Sequence, residues 1–166
     1  MPDTPVTSFY TETIMQSSAF TSAAPYRGLD LLEPVTRDAV GKIVTAAAQA
    51  GVILQVLETF RSVARQEALF AQGATQLKTV GVHHYGLACD LGISIGGQIN
   101  WKADYSILGR LASQFGLVWG GDWGHPANPG SFRDYDHVQR VAVADQPKLF
   151  DGSWYPPTDY VAPAVG

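Results

Sequence analysis

At 166 residues, with 46% apolar and 16% charged side chains, the chain is long enough to bury one core and too apolar for a disordered or fibrous protein. A net charge of -4 and a pI near 5.4 leave no basic footprint for nucleic acid, and no apolar run reaches the roughly 18 residues of a membrane span. The single cysteine, Cys89, excludes an internal disulfide and a cysteine-only metal site; with no basic start and apolar core at the N-terminus, synthesis in the cytoplasm without a standard signal peptide is expected.

Residues 1–28 mix Thr, Ser and Pro with scattered aromatics and read as a loosely packed N-terminal arm. Apolar residues then recur at Val40, Ile43, Val44 and Ala47, between Pro34 and Gly51, which predicts an amphipathic helix. "VILQVLETF" is β-rich and short enough for a strand, and Ser62 can cap a second helix, "VARQEALFAQ", that Gly73 ends. "GLACDLGISI" predicts a strand, with "GGQ" supplying the positive φ angles of a tight hairpin. Asp104 can cap a third helix, "YSILGRLASQF", ended by Gly116. "LVWGGDW" reads as a strand entering a Gly-rich loop, "GHPANPGSF" as loop, and "DYDHVQRVAV" as a final strand. The Pro-rich end, "YPPTDYVAPAVG", is expected to lie extended on the surface.

No βαβ unit repeats, so the expected fold is α+β: an antiparallel sheet with helices packed on one side. The expected division is an arm over 1–28, one domain over 29–145 and a tail over 146–166.

Four histidines occur, His83, His84, His125 and His137, and an isolated histidine is usually structural or exposed. Two beside Asp90, with a third flanked by Asp134 and Asp136, form a stronger pattern, because a catalytic zinc uses three nitrogen or oxygen ligands and leaves a fourth position open. On one regular strand His84 would share a face with Asp90, but Gly86 permits a turn or bulge that re-aims one ring. Spacing therefore leaves His83 and His84 both open as the ligand.

The pattern HxxGxAxD, at His83, Gly86, Ala88 and Asp90, followed by DxxH at Asp134 and His137, resembles the zinc peptidoglycan peptidases. That family includes L-alanyl-D-glutamate endopeptidases, D-alanyl-D-alanine carboxypeptidases and dipeptidases, and shares its fold with the Hedgehog signalling domain. "FRSVARQEALFAQG", "HHYGLACDL" and "VWGGDW" are similar, in order, to blocks of its endopeptidase branch, which contains many phage endolysins. The resemblance spans roughly residues 30–142.

It implies that His83, Asp90 and His137 bind Zn2+, that Asp134 is the catalytic carboxylate, and that Arg61 steadies the substrate carbonyl as it becomes an oxyanion. His84 stands where relatives carry asparagine, and it and Trp123 are expected beside Arg61 at the substrate. Gly81 replaces a Ser or Thr common before the first ligand, and Asp136 replaces a proline before the last.

The chemistry requires these residue types: an amide resists attack by water unless a cation polarises the carbonyl and acidifies the water, a carboxylate moves the proton, and a positive charge meets the oxyanion. Asp136 competes with Asp134 for the carboxylate role, Asp90 with a purely structural place at a strand end, and Arg61 with a surface ion pair. Trp119 is expected in the core, Trp123 at the cleft rim, Cys89 as a small buried hydrophobe facing away from the site, and His125 in an exposed loop.

The resemblance implies a monomeric enzyme that cuts the L-alanyl-D-glutamate bond of bacterial peptidoglycan stem peptides, as an endolysin acting at the wall after release, with no nucleic-acid partner and no membrane insertion. Two rival readings are a D-alanyl-D-alanine carboxypeptidase or dipeptidase, and a zinc-stabilised binding module without catalysis.

Overall fold

A computed structural model of the chain describes residues 7–75, 79–123 and 133–163. One antiparallel sheet is built from β1 (Ile53–Glu58), β2 (Ala88–Ile95), β3 (Gln98–Ile99), β4 (Val118–Trp119) and β5 (His137–Gln139). The order is β1-β2-β5-β4, with β3 folding back on β2. Gly96 and Gly97 make that hairpin at φ 61° and 81°, the left-handed pair that a two-residue turn demands.

The central strand β2 sorts its side chains by parity. Cys89, Leu91 and Ile93 enter the main core, and Asp90 and Gly92 point to the opposite face. On the core side lie α1 (Pro34–Gln49) and α3 (Ser106–Gln114), burying Ala39, Val40, Ile43 and Ala47 from the first and Leu108 and Ala112 from the second. Full burial of a larger aliphatic side chain such as Val40, Ile43 or Leu108 contributes about 1.5–3 kcal/mol. The fold is the expected α+β arrangement, with its principal helices on one face and polar residues free to gather on the other.

Glu33 caps α1, accepting from the Thr36 backbone at 2.7 Å, and pairs with the buried guanidinium of Arg140 at 3.2 Å. Ser62 caps α2 (Val63–Ala71) by accepting from Arg65 N, as its sequence position predicts. Asp104 accepts from Ser106 N at 2.9 Å, but the residue at the N-cap of α3 is Tyr105, so the cap lies one position later than expected. The Tyr105 hydroxyl instead accepts from Ile93 N and donates to Asn100 O, both at 3.1 Å, which ties α3 to the hairpin.

Three other expectations are corrected. The fourth and fifth strands are much shorter than their apolar runs, because Gly120–Asp122 forms a 3-10 turn and residues 134–136 a turn that packs against it. A short helix, α4 (Gln146–Phe150), follows where no helical signal was read. The N-terminal segment is firmly rather than loosely packed: Ile14 is fully buried in a cluster with Leu31 and Phe60, flanked by Phe9, Tyr10, Phe20 and Tyr26.

Candidate metal centre and active site

The sheet register assembles the site. Asp90 in β2 faces His137 in β5 on one side and Glu58 in β1 on the other, so one cross-strand row carries Glu58, Asp90 and His137. A bulge between Val56 and Glu58 brings the glutamate into that row; an unbroken register would set Leu57 opposite Asp90.

His83 arrives from outside the sheet. It sits in a 3-10 turn, Val82–Tyr85, closed by Gly86 at φ 71°. A Cβ at Gly86 would also come within 2.5 Å of the Leu31 carbonyl oxygen, so conformation and close approach both require glycine. The turn sends the two histidines to different places, which a regular strand could not do in this sense.

The His83 Nδ1 donates to the Thr59 carbonyl at 2.7 Å, leaving Nε2 3.1 Å from Asp90 Oδ1. His137 approaches the same oxygen through Nδ1 at 3.1 Å, with Nε2 2.8 Å from Gln139 Oε1. One ligand atom from each of His83, Asp90 and His137 lies within 4.8 Å of the others, and both rings are buried. Two imidazoles and a carboxylate, each imidazole held at its outer nitrogen by an oxygen, make a donor set that fits zinc.

Burial by itself would raise the Asp90 carboxyl, but the charge of His83 and hydrogen bonds from His137 and His83 hold it far below the usual carboxylate range. Burial likewise opposes a charged His137, and Asp90 beside it outweighs that, raising its pKa.

Asp134 and Asp136 both turn toward Asp90; the three carboxylates each place an oxygen within 4.8 Å of the others. Burial, a hydrogen bond to Asp134 and the negative charge of Asp90 push Asp136 up to about 9. The turn bearing the pair is held closely. Asp134 N donates to Gly120 O at 3.1 Å, a Cβ on Gly120 would collide with the Asp134 backbone, and the Trp119 indole donates to Tyr135 O at 2.8 Å. Gly109 and Gly121 leave the room that the Trp119 ring occupies. Trp119 therefore packs partly on the core, as expected, and also brackets the acidic turn.

Arg61 is no surface pair. Its side chain is only 16% exposed, donates to Glu58 at 2.9 Å and stands 3.6 Å from Asp90 Oδ2. Burial opposes its charge, yet Glu58, Asp90 and Asp134 together raise its pKa. Glu58 also takes Arg65 at 3.2 Å.

His84 departs from expectation. It is buried among Tyr10, Phe20, Phe60 and Tyr85. Its Nδ1 donates to the Arg61 carbonyl at 3.0 Å and its Nε2 accepts from the Tyr10 hydroxyl at 2.8 Å. Both ring nitrogens are thus engaged within the protein, and burial lowers its pKa against the opposing hydrogen bond to the Arg61 carbonyl. Trp123 is half-buried and packs on His137 at 4.9 Å, with its indole N–H lacking a partner among the described residues. Cys89 points into the core, where burial pushes its thiol upward and keeps it inert. His125 lies outside the described residues.

The sequence reading missed Glu58, Thr59, Gln139 and Tyr10. Only the bulge and the pairing of distant segments give them their places, and neither leaves a local signal.

No family model matches the chain. It is 28% identical over 129 residues to the peptidoglycan L-alanyl-D-glutamate endopeptidase CwlK of Bacillus subtilis, covering 66% of this chain and 74% of that one. The fold is similar to that of the D,D-pentapeptidase VanY of a VanB-type vancomycin-resistance cassette, solved with Zn(II), at TM-score 0.53, 16% identity, and 72% and 78% of the two chains. The complex of VanYB with D-alanine-D-alanine gives TM-score 0.51 and 17% identity over 74% and 78%. Among the described residues, no helix is long and apolar enough to cross a membrane.

Proposed function

We propose, from the premise that this chain belongs to the peptidoglycan peptidase family of the L-alanyl-D-glutamate endopeptidases and D-alanyl-D-alanine carboxypeptidases, that it hydrolyses the L-alanyl-D-glutamate bond of the bacterial stem peptide at a zinc centre held by His83, Asp90 and His137. The observation that carries the reading is the convergence of these three donors beside Asp134 and Arg61.

The ion, when bound, supplies Lewis acidity toward the scissile carbonyl and toward water. Asp134 takes the proton released by the attacking water and returns it to the leaving amine. Asp136, hydrogen-bonded to Asp134, keeps that carboxylate turned inward. Arg61 faces the oxygen on which negative charge develops. Its guanidinium is fixed by Glu58 and its backbone by His84, so little reorganisation remains at the moment of reaction. Trp123, on the His137 ring, is proposed to contact the peptide.

The endopeptidase assignment follows CwlK, a relative similar in sequence along most of the chain, rather than the D,D-pentapeptidase VanY, which is similar in fold. The proposed setting is endolysin-like: a monomer made in the cytoplasm that reaches the wall after release. Digestion of purified wall fragments, with and without chelation, tests the reading by mass spectrometry. We expect new D-glutamate N-termini that disappear on chelation and return with zinc. Release of D-alanine would make the enzyme a carboxypeptidase, and no cleavage at all would favour a binding module.

A further inference from the structure

We infer that Gln139 is a positioning residue of the metal centre: it fixes His137 in the tautomer that turns the Nδ1 lone pair toward the cation. The inference rests on the zinc centre proposed above. Both ring nitrogens of His137 have oxygen neighbours, Asp90 Oδ1 at 3.1 Å from Nδ1 and Gln139 Oε1 at 2.8 Å from Nε2. A neutral imidazole has one N–H, so its neighbours decide which nitrogen bears it.

An amide can in principle turn either end toward the ring, but Gln139 has no such choice. Its other end lies 2.6 Å from the Val141 carbonyl oxygen, a backbone group that can only accept, and 2.8 Å from Gln146 Oε1. The amide nitrogen must occupy that end. The oxygen therefore faces His137, and Nε2 must be the donor. Gln139 is 1% exposed, which leaves little room for water to replace its oxygen. The placement follows from the sheet: residues two apart on β5 share a face, so Gln139 stands opposite Ala88 just as His137 stands opposite Asp90. Gln146, at the start of α4, extends this support into the segment after the sheet. Without the Gln139 oxygen, the proton can move to Nδ1 or the ring can rotate, and either removes one donor from the cation.

The test uses the full chain, stripped of metal and titrated with Zn(II) against a competing chelator, as the parent and as Gln139→Leu. We expect the variant to bind zinc about 10–100-fold more weakly. A merely structural glutamine would lower the unfolding midpoint of the metal-free protein and leave zinc affinity within about threefold of the parent, and that result overturns the inference. A second measurement needs no variant: long-range 1H–15N spectra of the zinc-loaded parent should give His137 a directly protonated Nε2 and a metal-shifted Nδ1. A proton on Nδ1 overturns the inference even if Gln139→Leu fails to fold. If the parent binds no zinc, the metal centre itself falls; if it binds zinc and only the Gln139 results fail, the centre stands without this residue's role.

Discussion

At the scale of single residues, the proposed centre divides groups that would hold the metal from groups that would move a proton. His83 and His137 are buried and both approach Asp90, which is half-buried, and Asp134 stands in a half-buried turn beside it. Replacing Asp134 with alanine should leave zinc stoichiometry intact and reduce hydrolysis by on the order of 100- to 10,000-fold, the usual share of a general acid-base group. Metal analysis alongside turnover checks this, and a variant that loses zinc as well would make Asp134 part of the ligand cluster.

Asp136 supplies a different test, on the metal-free protein. Its pKa of about 9 when folded lies far above the ordinary carboxylate value, so the native state keeps a proton that the unfolded chain sheds from about pH 4 upward. The stability it contributes is full below that pH and is lost as pH rises toward 9. The raised pKa of His137 acts in the same sense, and the depressed Asp90 contributes only above its unfolded value, near pH 4. Thermal midpoints of chelator-treated protein should therefore fall from pH 5 to pH 9, and Asp136→Asn should flatten the slope.

At the scale of elements, two irregularities build the site: the bulge in β1 that brings Glu58 opposite Asp90, and the turn at Gly86 that separates the neighbouring histidines. The turn is the more exposed to mutation. Gly86→Ala would place a Cβ against the Leu31 carbonyl and Ile14 in a left-handed conformation that alone costs about 1–2 kcal/mol. Both the denaturation midpoint and zinc affinity should drop, because relief of the collision moves His83. A variant with normal affinity would mean that the turn adapts without disturbing its ligand. Two further departures from the sequence pattern, the short β4 and β5, share a cause: the chain leaves the sheet early so that Gly120 and Asp134 can meet and set the acidic turn beside Asp90.

Across the whole molecule, the terminal segments pack against the domain, the first beside Arg61 and the last onto the α1 cap. Tyr10, whose hydroxyl burial keeps protonated with a pKa of about 12, donates to His84 and through it steadies the Arg61 backbone. At the other end, Arg140 is 1% exposed; it joins the α1 cap Glu33 to the carbonyls of Pro157 and Tyr160. Truncating this guanidinium in Arg140→Met strands the buried carboxylate of Glu33, and should cost about 3–5 kcal/mol in a denaturant titration. Retained stability would mean that Glu33 finds another partner or takes up a proton.

Much of this protein is determined by its sequence alone. Helix periodicity, the diglycine hairpin and the parity of β2 are local properties, set by steric rules that act over a few residues, and the HxxGxAxD and DxxH patterns keep the donor residues at readable spacings. Which neighbouring histidine turns toward Asp90, that both Asp134 and Asp136 approach it, and how Glu58, Thr59, Gln139 and Tyr10 come to lie around these residues were decided only in the tertiary structure. Each depends on segments far apart in the chain meeting at hydrogen-bond distance. A side chain's direction there is fixed by the backbone packed against it, such as Leu31 against Gly86, and not by the residues on either side of it in sequence.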